Sequence, residues 1–135
     1  MRNRLLCSAL VACAALAPTG AIPAHADADA RQAASTLLFT IASGETPPQT
    51  GRTAVLGCEP AAGTHPHAQE ACEELGKVDG DFDALSVDPK RVCPLVYDPV
   101  TVTAEGWWHG RMVQYAKTYG NVCQLEGTTG PVFQF

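Results

Sequence analysis

The most distinctive stretch of this 135-residue sequence is Arg91-Val92-Cys93-Pro94-Leu95-Val96-Tyr97-Asp98-Pro99. Each of its prolines fixes φ at roughly −65° and removes a backbone N–H donor, so the segment is extended and cannot be paired throughout as a regular strand. Cys93 can anchor the segment through a disulfide. The pattern therefore predicts a stiff, extended peptide held by a crosslink, with Leu95 near its middle.

Two interpretations of this stretch are open from spacing alone. Short apolar runs between turn residues are typical of buried strands, and this favours burial of the side chains around Leu95. The prolines oppose a strand, because proline is confined to the edges and ends of sheets. If the segment is exposed, it offers a protease a substrate whose conformation is already fixed.

The first 26 residues have the organisation of a secretory signal peptide. Arg2 and Arg4 form a positive N-terminal region, an apolar run covers residues 5–17, and Ala24-His25-Ala26 is a small-x-small cleavage site. The apolar run is too short to cross a bilayer as a stable helix. We expect cleavage after Ala26, which leaves residues 27–135 as one secreted domain.

The charge and the cysteines of the mature chain narrow the class of protein. Loss of Arg2 and Arg4 leaves seven basic against fourteen acidic residues, which disfavours nucleic acid and anionic membranes as partners. Four cysteines remain, and an even number in a small exported domain indicates two disulfides with three possible connectivities. We expect the nearest-neighbour pairs, Cys58–Cys72 and Cys93–Cys123.

Alternating apolar residues predict an antiparallel sheet. Strands are expected at 35–42 and 52–58, joined by a Gly/Pro-rich loop. Two more are expected at 100–103 and 107–119, joined by a turn at Glu105-Gly106. The C-terminal residues Val132-Phe133-Gln134-Phe135 are expected to add the fifth strand.

Helical spacing appears in two places between and after these strands. Ala68, Cys72 and Leu75 form an apolar stripe, which predicts a helix that begins at Thr64-His65-Pro66 and ends at Gly76. Asn121 is expected to cap a single further helical turn. The predicted fold class is α+β, with a five-stranded antiparallel sheet and one main and one short helix packed on one face.

The sheet face that the helices do not cover would expose apolar side chains to solvent in a monomer. Trp107 and Trp108 point to opposite faces of a strand, so one is expected in the core and the other at the surface or a subunit contact. A large exposed apolar patch usually marks an interface, and we expect a two-fold homodimer. The candidate residues for that patch are Val100, Val102, one of the two tryptophans, Met112 and Val113.

Residues suited to catalysis or metal binding are present without a recognisable pattern. No Gly-x-Ser-x-Gly turn accompanies the mature histidines, so we expect neither an enzyme nor a cofactor. A Cys₂His₂ zinc site from Cys58, His65, His67 and Cys72 is an alternative to a disulfide. Its spacing does not match a standard finger, and export favours the disulfide, so no metal is expected.

Taken together, these motifs resemble the Streptomyces subtilisin inhibitor family. The similarity covers essentially the whole mature chain, with four cysteines in register, and the Cys-Pro-x-Val-Tyr-Asp-Pro stretch is highly specific. The matching segments are Cys58-Glu59-Pro60, Gly63-Thr64-His65-Pro66, Ala71-Cys72-Glu73-Glu74-Leu75, Gly80-Asp81-Phe82-Asp83-Ala84-Leu85, Cys93–Val100, Gly110–Tyr115 and Val132–Phe135.

The resemblance implies a homodimer that inhibits subtilisin-like serine proteases, with disulfides 58–72 and 93–123. It places the scissile bond after the residue that follows Cys-Pro, which here is Leu95–Val96. The protease subsites P4, P3 and P2 then fall to Val92, Cys93 and Pro94, with Leu95 at P1. Val96 is P1′, and Tyr97, Asp98 and Pro99 complete the loop.

Leucine at P1 differs from the methionine or lysine of other members. A neutral leucine suits the pockets of subtilisin and chymotrypsin, and it argues against trypsin as a target. The competing function is a secreted, disulfide-linked binding or scaffold module that keeps the fold without inhibiting a protease.

Overall fold

The computed structural model describes residues 34–46 and 50–135, so the predicted signal peptide lies outside the described residues. Five antiparallel strands form one sheet in the order β3-β2-β1-β4-β5. The strands are β1 (Ser35–Ser43), β2 (Arg52–Cys58), β3 (Ala62–Gly63), β4 (Val100–Trp108) and β5 (Arg111–Tyr119). The helices are α1 (Ala68–Lys77) and α2 (Val122–Thr129), with 3₁₀ turns at Phe82–Ala84 and Gly130–Phe133. The predicted α+β class is confirmed.

One face of the sheet carries the core, because strand residues alternate between the two faces. Phe39, near the middle of β1, is fully buried and meets Phe82 and Phe133 edge-on. The helices and the C-terminal turn cover this face. The strand residues buried there are Leu37, Phe39, Ile41, Ala54, Leu56, Cys58, Val100, Val102, Ala104, Trp108 and Tyr119.

The hairpin between β4 and β5 turns later than predicted. Gly106 lies inside β4, opposite Leu37 of β1, and a Cβ there would stand 2.2 Å from the Thr36 carbonyl oxygen. This glycine therefore permits close strand pairing and does not mark a turn. His109 and Gly110, with φ of 44° and 80°, form the two-residue hairpin loop.

The predicted C-terminal strand is wrong. Residues Gly130–Phe133 form a 3₁₀ turn that buries Val132 and Phe133 against the core, and β3 is the fifth strand. Pro131 has no N–H to give to a ladder. The Val132 carbonyl accepts a 3.0 Å hydrogen bond from His65 Nε2, so these apolar residues are buried by packing and not by pairing.

The main helix begins and ends later than predicted. The N–H groups of Thr64 and His65 both donate to the Val55 carbonyl, which keeps these residues beside β2. The helix therefore starts at Ala68, and it continues through Gly76 to Lys77. The second helix is also longer than the predicted single turn, with eight residues, but Asn121 caps it as expected.

Both expected disulfides are present. Cys58–Cys72 joins β2 to α1, and Cys93–Cys123 joins the central stretch to α2. The cysteines of the alternative zinc site are therefore bonded to each other. His65 is buried, which lowers its pKa, and its Nδ1 accepts from the His67 N–H at 3.1 Å.

The free face of the sheet differs in part from the prediction. Val100 and Val102 lie in the core, and Val113 packs against it. Trp108 is also in the core at 2% exposure, whereas Trp107 is 55% exposed on the free face, opposite Met112 of β5. Leu38 of β1 adds a third exposed apolar side chain to this face. Within the described ranges, no helix has the length and apolar character needed to cross a membrane.

Candidate functional site

The central stretch is an exposed loop. No helix or strand occurs between residues 85 and 99, where the chain runs from the first 3₁₀ turn to β4. Leu95 is as exposed as in an isolated peptide, at 102%, and Val92 is 92% exposed. The interpretation of this stretch as a buried strand is therefore wrong, and its apolar side chains face solvent.

A covalent bond anchors the loop on the N-terminal side of Leu95. Cys93, two residues before it, is bonded to Cys123 in the first turn of α2, with a Cα–Cα distance of 5.7 Å. Pro94 restricts the backbone between the anchor and Leu95. The loop therefore approaches Leu95 from a fixed point on the helix.

Asn121 supports the loop on both sides of Leu95. Its Nδ2 donates to the carbonyl oxygens of Pro94, at 3.2 Å, and of Val96, at 2.9 Å. Its Oδ1 accepts the Gln124 N–H at 3.0 Å, which caps α2 and turns the amide nitrogen towards the loop. Asn121 is only 7% exposed, so these hydrogen bonds are shielded from water. One side chain thus holds the carbonyl groups of the two residues that flank Leu95.

Backbone hydrogen bonds hold both ends of the loop. Before Leu95, the Asp88 N–H donates to the Gly127 carbonyl at 2.8 Å, and Arg91 forms a 2.7 Å ion pair with Glu126 of α2. After Leu95, the Asp98 N–H donates to the Gly120 carbonyl at 2.9 Å. The loop therefore cannot open at either end without breaking native contacts.

The geometry brings together every residue that the sequence analysis assigned to the reactive loop, and it adds Asn121. Sequence reasoning identified Asn121 only as a helix cap. Its position two residues before Cys123, the crosslink partner of Cys93, is the signal that places it beneath the loop. This arrangement can present an exposed, preorganised peptide to a partner that binds peptide segments.

Comparisons of this chain with a family model and with individual proteins agree on one family. A family model described as "Subtilisin inhibitor-like" matches residues 33–121. "Subtilisin inhibitor-like protein 5" from Streptomyces fradiae is 47% identical over 106 residues, covering 76% of this chain and 99% of that protein. "Subtilase-type protease inhibitor" from the same organism is 44% identical over 143 residues, with full coverage of both chains.

A solved structure is similar in both fold and sequence. It is that of Streptomyces caespitosus sermetstatin in complex with Bacillus licheniformis subtilisin, and the match has a TM-score of 0.64 with 38% sequence identity. The match covers 75% of this chain and 98% of that one.

Proposed function

Because this chain belongs to the subtilisin inhibitor-like family, we propose that it is a secreted inhibitor of subtilisin-like serine proteases. The observation that carries the proposal is Leu95, fully exposed on a loop that a disulfide and Asn121 hold from below. The inhibitor itself needs no catalytic residue. The matching relatives, which are named as inhibitors, favour this function over a non-inhibitory scaffold module.

The proposed reactive site is the Leu95–Val96 peptide bond. Leu95 at P1 fills an apolar S1 pocket, and its carbonyl carbon faces the serine of the protease, as a substrate's would. The neighbouring subsites are taken by Val92, Cys93 and Pro94 before the bond and by Val96, Tyr97, Asp98 and Pro99 after it. Such complexes bury a standard-sized interface of about 1,600 Å².

Slow cleavage follows from the contacts beneath the loop. After attack at Leu95–Val96, the new amine of Val96 stays close to the acyl group. The Val96 carbonyl is held by the Asn121 side chain, and the Asp98 N–H is held by the Gly120 carbonyl. Resealing of the bond then competes with hydrolysis. The ordering that binding requires is already present in the free protein, which favours affinity.

Titration of subtilisin with the purified mature protein tests the proposed function. We expect activity to fall linearly and to reach zero at one protomer per protease, as for a tight, stoichiometric inhibitor. Continued full activity in excess protein would reject inhibition and leave the scaffold alternative. A matched titration of chymotrypsin and trypsin should show inhibition of the first and little of the second.

Replacing Asn121 should weaken inhibition without removing the fold. Asn121→Ala removes two hydrogen bonds beneath the loop, each worth about 1 kcal/mol, so the inhibition constant should rise by about 30-fold. Asn121→Ser keeps a capping oxygen for α2 but lacks the amide donor. We therefore expect equal losses of inhibition in both variants but a higher Tm for the serine variant. Inhibition by Asn121→Ser at the wild-type level would contradict the support role.

We also propose secretion through the N-terminal segment, with cleavage after Ala26, on the basis of the charged, apolar and small-residue regions described above. The two disulfides suit an oxidising, extracellular location. Mass spectrometry of the protein recovered from culture medium should give a chain beginning at Asp27.

The free sheet face supports the proposal of a homodimer. Leu38, Trp107 and Met112 are 44%, 55% and 64% exposed, and the register sets Trp107 directly opposite Met112. Aromatic residues and methionine are enriched in the cores of interfaces. The reactive loop leaves the sheet at the start of β4, at the end of the strand remote from Trp107, so a dimer through this face leaves both loops free.

Trp107→Glu should turn the proposed dimer into a monomer, because a charge would be buried in the interface. Sedimentation should give a wild-type dimer at micromolar concentration that binds two subtilisin molecules. The variant should sediment as a monomer and inhibit as well per protomer. A wild-type monomer would refute the dimer, and saturation at one protease per dimer would refute the free loops.

A further inference from the structure

The reactive loop has one side-chain contact that comes from a distant loop. The Tyr97 hydroxyl donates a hydrogen bond to Glu45 Oε1, across 52 residues of sequence. Tyr97 is the second residue after the proposed scissile bond, and its side chain is otherwise largely exposed, at 68%. Along the chain, Tyr97 follows Leu95, whereas Cys93, which carries the disulfide to Cys123, precedes it.

The backbone that carries Glu45 is itself held by the sheet. The Gly44 N–H donates to the Pro99 carbonyl at 2.8 Å, and Thr101 Oγ1 donates to the Gly44 carbonyl at 2.7 Å. Thr118 Oγ1 of β5 donates to the Glu45 carbonyl at 3.3 Å. These bonds hold residues 44–45 against β4 and β5. The backbone of Glu45 therefore has a fixed position relative to the end of the reactive loop, within reach of the Tyr97 hydroxyl.

We propose that Glu45 is a positioning residue for the part of the loop that follows the scissile bond. The role rests on the proposed function. Glu45 restricts the Tyr97 ring to one orientation before the protease binds, so less side-chain ordering is needed on association. The same bond also retains the segment that begins at Val96 if Leu95–Val96 is cut, which favours resealing over release.

The contact has a measurable signature in the tyrosine itself. A carboxylate that accepts from a phenol stabilises the protonated form, and this hydrogen bond raises the pKa of Tyr97 above its ordinary value. Tyr115 and Tyr119 lie elsewhere in the fold, hydrogen-bonded to each other, and within residues 34–46 and 50–135 neither donates to a carboxylate. Loss of the Glu45 carboxylate should therefore lower the pKa of Tyr97 alone.

Four variants test the proposal: Glu45→Ala, Tyr97→Phe, the double variant, and Glu45→Gln. Each single loss of the hydrogen bond should raise the inhibition constant for subtilisin and the rate of Leu95–Val96 cleavage about threefold to tenfold, as expected for ordering one side chain. The double variant should be no worse than either single one, because both remove the same bond. Glu45→Gln keeps an acceptor oxygen and should stay near wild type.

Glu73→Ala is the matched control, since Glu73 is an exposed glutamate on α1 that bonds only to Gln69 in the described residues. It should change neither inhibition nor the pKa of Tyr97, followed by NMR of ring-labelled tyrosine. Additive losses in the double variant, or an unshifted Tyr97 pKa in Glu45→Ala, would overturn the positioning role while wild-type inhibition still stood. Failure of the wild type to inhibit would instead overturn the proposed function and this role with it.

Discussion

Leu95→Lys should make the protein an inhibitor of trypsin. The wild-type side chain is apolar and fully exposed at the proposed P1 position. Trypsin carries an aspartate at the base of its S1 pocket, so a P1 ammonium gains a buried ionic partner that leucine lacks. Central residues of such interfaces contribute several kcal/mol. We therefore expect the inhibition constant for trypsin to fall by about 1,000-fold or more.

The opposite change at the same position should abolish inhibition of subtilisin. Leu95→Asp places a carboxylate without a partner in an apolar S1 pocket, and burying an unpaired charge is strongly unfavourable. Leu38→Asp is the matched control, because Leu38 is an exposed leucine on the free sheet face. The control should retain inhibition per protomer. If both Leu95 variants inhibit subtilisin like the wild type, Leu95 is not P1.

The paired replacement Cys93→Ser with Cys123→Ser should convert the inhibitor into a substrate. The disulfide is the only covalent link between the loop and α2 in the described residues. Without it, the segment before Leu95 keeps weaker contacts, such as the Asp88 N–H bond to Gly127. The acyl group can then move away from the Val96 amine, so hydrolysis should outpace resealing. We expect the cleavage rate of Leu95–Val96 under excess subtilisin to rise by about 100-fold, a change of roughly 3 kcal/mol.

The other disulfide provides the control for that experiment. Cys58→Ser with Cys72→Ser also removes one crosslink, but this crosslink joins β2 to α1 and does not touch the loop. Its loss should lower the free energy of unfolding by about 2–5 kcal/mol. Below the Tm of both variants, only the loss of Cys93–Cys123 should accelerate cleavage. Unchanged resistance to cleavage in the Cys93/Cys123 variant would contradict the anchoring role.

Local patterns in the sequence account for most of the fold. The alternation of Leu37, Phe39 and Ile41 predicted β1 and its buried face, and the spacing of Ala68 and Leu75 predicted the main helix. The number of cysteines predicted two disulfides, and the observed pairs are the nearest-neighbour choice among three possible connectivities. These features depend on side-chain period and local chemistry, which a single sequence carries.

The errors arose where a tertiary contact overrides a local signal. Gly106 resembles a turn residue, but it is required by the close approach of β1. The C-terminal residues have strand-like composition, yet the hydrogen bond from His65 to Val132 and burial of Phe133 fold them into a turn. Because the hairpin turns at His109-Gly110, β4 is continuous from Val100 to Trp108. Val100 and Val102 lie on its inward face, in the core.

The site shows the same division between local and non-local information. The prolines of the loop and its anchor at Cys93 were accessible from the sequence, whereas the spacing alone favoured burial of side chains that are exposed. The supporting contacts were not, because Asn121 lies 27 residues from Pro94 and Glu45 lies 52 residues from Tyr97. The local pattern of Glu45 does not distinguish a loop support from a surface charge, and the one signal for Asn121 is its position two residues before Cys123.

Locating the cut tests whether subtilisin engages the Leu95–Val96 bond and cuts it only slowly. The inhibited complex is incubated for a long period, and the fragments are identified by mass spectrometry and N-terminal sequencing. We predict one new N-terminus, at Val96, with the two pieces still joined through Cys93–Cys123 until reduction. A first cut elsewhere in the chain, with Leu95–Val96 intact while inhibition is lost, would contradict it.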